Sequence, residues 1–238
     1  VIAYASRTGT RSTLAALREA GWRLLVSAAG ELRTEGFQYA LDNGAWSAYQ
    51  RGARFDESAF LLALNKLGRD ADFVVLPDIV SGGEQSLDLT FRWIQRVYRA
   101  TERVLISVQD GHEPWQIDEL LGPRVGVFVG GSTGWKLATT PRWAAVARAK
   151  SSWCHVGRVN TKRRIALCGA AGALSFDGTS VVQYPSTIDR LDRATRRATL
   201  QGGLAFDDGL VPDDQHPCCV ESPAQLARYR EYMASRKS

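Results

Sequence analysis

Short runs of Val, Ile, Leu and Phe recur along the chain, with segments of helical apolar spacing between them. Val1 to Tyr4 opens the series, a helix follows over about Thr10 to Ala20, and Arg23 to Ser27 is the second strand. Gln38 to Leu41 is the third, ending in Asp42-Asn43-Gly44, with a helix over about Asp56 to Leu67. Phe73 to Leu76 is the fourth, ending in Pro77-Asp78, before a helix over about Glu84 to Ala100. Val104 to Val108 is the fifth; Gln109-Asp110-Gly111-His112 and a short helix near Trp115 to Leu121 follow it. Val125 to Val129 is the sixth, ending in Gly130-Gly131-Ser132, with a helix over about Pro141 to Ala149. Trp153 to Val156 leads into Gly157-Arg158 and a helix from Thr161 to Ala171; Ala173 to Phe176 ends on Asp177.

These strands are continuously apolar rather than alternating, as strands covered on both faces are. Strand and helix in regular succession predict an α/β protein, a compact parallel (β/α)8 barrel over residues 1–180. An open doubly wound sheet has the same pattern and stays as the alternative. Residues 181–238 read as a C-terminal extension: a helix over Asp189 to Leu200, a Gly-, Asp- and Pro-rich loop from Gln201 to Cys219, and a closing helix from Pro223 to Ser235. Asp42, Asp78, Gln109, Asp110, His112, the Gly130-Gly131 pair, Arg158 and Asp177 all follow strand ends. In a barrel those ends meet at one mouth, where active sites sit.

Composition narrows the setting. Among 238 residues, 45% are hydrophobic and 23% charged, as in globular proteins, and no apolar run approaches the roughly 20 residues of a membrane span. Neither a membrane partner nor a signal peptide is expected. The four cysteines include the adjacent pair Cys218-Cys219 and form no even framework, which points to a reducing cytoplasm. Net charge is +5 and arginine outnumbers lysine, a balance compatible with a nucleic-acid partner. Arg190, Arg193 and Arg197 share one helix face, although the i,i+4 pairs around them also suit a plain solvated surface.

Four segments, in order, resemble the guanine transglycosylases, TIM-barrel enzymes that exchange a guanine in nucleic acid for a 7-deazaguanine. Leu41-Asp42-Asn43-Gly44-Ala45-Trp46 is similar to the family's Asp-Ser-Gly-Gly-aromatic turn. Val129-Gly130-Gly131-Ser132 is similar to its Gly-Gly loop, and His155-Val156-Gly157-Arg158-Val159 to its His-Leu-Met-Gly-Val segment. Ser175-Phe176-Asp177 is similar to the Met-Phe-Asp that carries the nucleophile, and Pro77-Asp78 and Val108-Gln109 stand where the family keeps its base-reading Asp and Gln.

The resemblance implies roles. Cleaving an N-glycosidic bond builds positive charge on the sugar, so a carboxylate beside C1′ stabilises the transition state and can bond to it, as in retaining glycosidases. Asp177 would be that nucleophile and Asp42 the general acid/base. Asp78 would accept from the N1–H and N2 amino group of guanine. Gln109 and the backbone at Gly130 and Gly131 would face O6 and N7, with Trp46 and Val156 sandwiching the base and Gly157 also among the base-binding residues. Arg158, Lys162, Arg163, Arg190, Arg193 and Arg197, with Arg7 and Arg11 near the mouth, would hold the nucleic-acid backbone.

Two departures from the family choose among substrates. The tRNA-directed members carry a Cys-x-Cys-x-x-Cys…His zinc site that this chain lacks, and Gly178-Thr179-Ser180 replaces their Pro-Thr-Arg run. His216, Cys218 and Cys219 could supply zinc ligands, although their spacing is no standard zinc pattern, and the chemistry itself needs no metal or other cofactor. The chain therefore resembles most the phage and genomic-island branch that modifies DNA. Its expected partners are DNA, with tRNA second, and a free 7-deazaguanine base. A hydrolytic N-glycosidase is the other reaction the same carboxylates allow.

Overall fold

The computed structural model describes residues 1–207, and of residues 201–207 only the helical backbone. Its strands are β1 (Ile2–Ser6), β2 (Arg23–Ser27), β3 (Tyr39–Asp42), β4 (Val74–Val75), β5 (Val104–Val108), β6 (Val125–Val129), β7 (Cys154–Val156) and β8 (Ser175–Gly178). Each pairs in parallel with the next, and β1 pairs with β8 through Ile2↔Ser175 and Tyr4↔Asp177, closing the barrel. The ring has no free edge, which excludes the open sheet. No helix among the described residues is long and apolar enough to cross a membrane.

Strand side chains alternate between two cores. Ala3, Leu24, Val26, Leu41, Ile106, Val127, Val129, Val156 and Phe176 point outward and pack under the helices. Tyr4, Leu25, Ala40, Phe73, Val75 and Leu105 point inward, with Phe128 and Trp153 against them. Two residues further along, the inward series turns polar: Tyr4 gives way to Ser6, Leu25 to Ser27, Ala40 to Asp42 and Leu105 to Ser107, while on β8 Asp177 follows the already polar Ser175. The apolar layer therefore floors a polar mouth.

The outer helices are α1 (Arg11–Glu19), α2 (Ala45–Gln50), α3 (Glu57–Leu67), α4 (Glu84–Tyr98), α5 (Thr133–Ala149), α6 (Lys162–Ala171), α7 (Ser180–Gln183) and α8 (Ile188–Asp207). Several start on the caps their sequences supply, Asp56 accepting from the Ala59 N–H at 2.9 Å and Ser132 from that of Trp135 at 3.4 Å. Three expectations change. Helix α5 begins at Thr133 rather than Pro141, because Ser132 caps it and the proline is carried inside. Helix α2 occupies what reads as a turn, nucleated by the Asn43 side chain accepting from the Ala45 N–H at 2.8 Å. The helix expected to end at Leu200 runs on to Asp207, through residues expected to be loop.

Helix α8 packs against α6, where Gly169 leaves no room for a β-carbon beside Ala198. It reaches the Val1 amino group through Thr199 Oγ1 at 2.8 Å. The expected closing helix and the His216, Cys218 and Cys219 cluster lie outside the described residues.

Candidate active site

The mouth encloses a cavity of about 890 Å³ whose lining includes Asp42, Asp78 and Asp177 together, with Ser27, Asn43, Trp46, Ser107, Gly130, Gly131 and Arg158. Three carboxylates expected from distant segments thus face one space. Counting Glu31 and Asp110 against Arg7 and Arg158, the lining carries an excess of negative charge. Arg7 is itself paired with Glu31 at 2.7 Å and Glu35 at 2.8 Å. Such a cavity favours a neutral or cationic guest over a phosphate, and strengthens its attraction for charge that develops inside it.

Asp177 ends the inward face of β8 and is almost fully buried. Its Oδ1 meets Nε2 of His155 at 3.1 Å, and the Arg158 N–H lies 3.2 Å from both carboxylate oxygens. Arg158 itself adopts φ +56°, a left-handed conformation uncommon outside glycine. The preceding Gly157 has no room for a side chain, since a β-carbon would stand 2.8 Å from the Phe128 ring. Behind the turn, Nζ of the buried Lys136 donates to the Gly157 carbonyl. Burial pushes the Lys136 ammonium down to about 8, helped by Arg158 and opposed by Asp177. Lysine reads as a surface residue in sequence, and only the early start of α5 carries this one inside.

Asp42 accepts from the Gly44 N–H at 3.0 Å. Burial raises its carboxyl to about 6, and the charges of Asp177 and Asp78 add to the effect against hydrogen bonds from Gly44 and Ser27. Asp78 is raised by burial too, opposed by hydrogen bonds from Asn43 and Ser107. Asn43, next to Asp42 in the chain, fastens the turn after β3 to Asp78, its amide donating to Asp78 Oδ1 at 2.7 Å and to the Leu76 carbonyl at 2.6 Å.

Other expected site residues have different places. Val156 is on the outer face of β7, one residue out of phase with His155, and packs in the core under the helices, so it cannot sandwich a guest. Opposite Trp46 stands the Arg158 guanidinium, 4.1 Å from the ring centroid, which also donates to the Gly131 carbonyl. Gln109 borders the cavity, but its amide donates to the Ile79 carbonyl (2.7 Å) and Ser86 Oγ (2.9 Å) and accepts from the Ser81 N–H (2.6 Å). Both its N–H bonds are engaged, so it organises the loop after β4 rather than reading a base. The Gly130 N–H is likewise occupied by the Val108 carbonyl at 2.8 Å.

Asp110 holds the Gly131-Ser132 turn through the Ser132 N–H at 2.6 Å and hydroxyl at 2.5 Å. Burial works against its ionisation, but these bonds and nearby Arg158 keep it below the usual carboxylate range. His112 is a loop hydrogen-bonder, with Nδ1 accepting from the Gln109 N–H at 3.2 Å and Nε2 facing the Gly83 carbonyl at 2.9 Å.

Lys162, Arg163 and Arg190 are exposed in the first turns of α6 and α8, at the mouth end of the barrel. Arg193 lies further down the wall. Arg197 is beside Ala198 and Thr199, at the level of Val1 and hence at the opposite end, where it cannot reach a strand held at the mouth. Among the described residues no group of three or more His, Cys, Asp or Glu side chains can hold a metal ion.

No protein-family model matches the chain, and no curated protein matches it. Among solved structures it is similar to tryptophan synthase from M. tuberculosis in an aminoacrylate-bound form, with 14% identity, 85% of this chain and 91% of that one covered, and a TM-score of 0.45. The barrel assignment rests on the strand pairing itself.

Proposed function

We propose that this chain is a base-exchange transglycosylase that replaces guanine in DNA with a 7-deazaguanine, such as 7-cyano-7-deazaguanine, through a covalent bond between Asp177 and the sugar. The observation that carries the proposal is the convergence of Asp42, Asp78 and Asp177 on one cavity.

A carboxylate oxygen of Asp177 attacks C1′ as the bond from C1′ to the base breaks, and Asp42, in its protonated form, delivers a proton to the departing guanine. The incoming deazaguanine then attacks C1′ through its ring nitrogen, releases Asp177, and returns its N–H proton to Asp42. Two displacements preserve the stereochemistry, and protons balance over the cycle. An acid near 6 suits both halves, because it changes protonation state close to neutral pH. The excess negative charge of the lining favours the positive sugar of the transition state. Phosphates belong at the rim, where Lys162, Arg163 and Arg190 are exposed. A target base must leave its stack to enter such a recess.

The deciding experiment offers labelled guanine and 7-deazaguanines to DNA and to tRNA in parallel. Label should enter DNA, and a denaturing gel should reveal a protein–DNA adduct lost in Asp177→Ala. Incorporation into tRNA alone would move the substrate to RNA. Guanine release without incorporation would make the chain a hydrolase, and an active Asp177→Ala would end the assignment.

A further inference from the structure

Behind Asp177, the closed interior of the barrel holds a polar chain within an apolar layer. Trp153 Nε1 is 2.7 Å from Ser175 Oγ, Ser175 Oγ is 2.8 Å from Nδ1 of His155, and Nε2 of His155 is 3.1 Å from Oδ1 of Asp177. His155 and Ser175 have no solvent exposure. Tyr4, Phe73 and Phe128 pack around the imidazole with ring centroids 4.9–5.6 Å away, Phe128 nearly parallel to it.

The direction of each bond follows from donor counting. An indole N–H can only donate, so Ser175 Oγ accepts from Trp153. The Ser175 hydroxyl hydrogen then needs an acceptor in a buried site, and the contact available is Nδ1 of His155. Nδ1 is therefore bare, and the ring hydrogen sits on Nε2, directed at Asp177. With Oδ1 engaged by His155 and sharing the Arg158 N–H, Oδ2 has that shared N–H as its one partner among the described residues.

We propose that Trp153, Ser175 and His155 form a one-way hydrogen-bond chain that fixes His155 as an Nε2–H donor to Oδ1 of Asp177, leaving Oδ2 as the oxygen presented to the reacting carbon. His155 is a positioning residue: it touches the nucleophile and not the substrate. The part concerning Oδ2 rests on Asp177 being the nucleophile; the part concerning the tautomer does not.

The test pairs a spectroscopic readout with kinetics. The protein has three histidines, His112, His155 and His216, and loss of one signal set in His155→Gln assigns the ring. In 15N-labelled wild-type protein at neutral pH, Nε2 of His155 should resonate as protonated and Nδ1 as bare. Ser175→Ala should change that pattern and lower kcat for base exchange ~10–100-fold, the effect of one buried bond to a charged group, with little change in KM. Ser175→Thr, which keeps the hydroxyl, should retain the wild-type pattern, and Trp153→Phe should fall between. A protonated Nδ1 in the wild type, or a His155 spectrum unmoved by Ser175→Ala, overturns the chain. A wild-type protein with the expected tautomer but no exchange activity overturns the transglycosylase reading and leaves the hydrogen-bond chain standing.

Discussion

The guanidinium of Arg158 lies over the ring of Trp46, 4.1 Å from its centroid, and Trp46 also stacks on Tyr49 with centroids 5.7 Å apart. Trp46 and Tyr49 remain 37% and 53% exposed at the rim of the cavity. A flat base that stacks on Trp46 competes with the guanidinium. An exposed cation–π contact contributes about 0.5–1 kcal/mol, whereas base–aromatic stacking contributes about 1–3 kcal/mol, so the base should prevail. Trp46→Ala should therefore weaken binding of the free base ~5–100-fold. Arg158→Ala, which keeps the backbone N–H on Asp177, should tighten it by about 2–5-fold. Titration calorimetry checks both, and weakening by both variants would mean that the guanidinium is part of the stack.

Asp42 makes two predictions of opposite direction. As the acid/base, its loss in Asp42→Asn should lower kcat ~10²–10⁴-fold and remove a titration near 6 from the pH profile of exchange. Stability should move the other way. The folded-state carboxyl is raised from 3.8 to about 6, so the folded protein holds the proton more tightly than the unfolded chain. That contribution is fully present below 3.8 and is lost as pH rises through about 6. Asp42→Asn should therefore raise stability at pH 7 by up to about 3 kcal/mol, with the gain vanishing in acid. Urea unfolding across that range tests the sign.

Much of this site was legible because the fold converts a linear pattern into a place. Asp42 at the end of β3 and Asp177 one residue before the end of β8 each stand two residues beyond a small inward-facing residue, and the alternation of a strand makes such a residue face the mouth. The same alternation, applied to His155, puts Val156 outside; resemblance to a base-sandwiching segment had assigned it inside. Gln109 was misplaced for another reason. An amide that reads a base and one that ties a loop look alike in sequence, and only the positions of Ile79, Ser81 and Ser86 separate them. Pro141 concealed the first two turns of α5, and Lys136 with them. Proline favours helix starts, but here the Ser132 cap nine residues earlier prevails.

His112 should make the loop after β4 sensitive to acid. Its Nε2–H donates to Gly83 and its Nδ1 accepts from Gln109, so the ring must be neutral; burial lowers its pKa from the ordinary 6.5. As pH falls below 6.5 the unfolded chain takes up the proton first, and stability declines. Replacing His112 with Gln should flatten this part of the stability profile and lower stability at pH 7 by about 1–3 kcal/mol. Hydrogen exchange should locate the loss at residues 79–86, and unchanged protection there would exclude His112 as the pin.

The arginine and lysine side chains of α6 and α8 should divide by height on the barrel. Lys162 and Arg163 follow β7 at the mouth, while Arg197 neighbours the Thr199 that receives the Val1 amino group at the other end. If a single strand enters the mouth, each phosphate contact contributes about 0.7 to the slope of log affinity against log salt. In the inactive Asp177→Ala background, Lys162→Ala with Arg163→Ala should reduce that slope by about 1.4 and weaken binding regardless of sequence. Arg197→Ala should leave both unchanged. Equal effects from the two ends would mean that the strand follows the α6–α8 wall, and that the acid-lined cavity is not where its sugars are held.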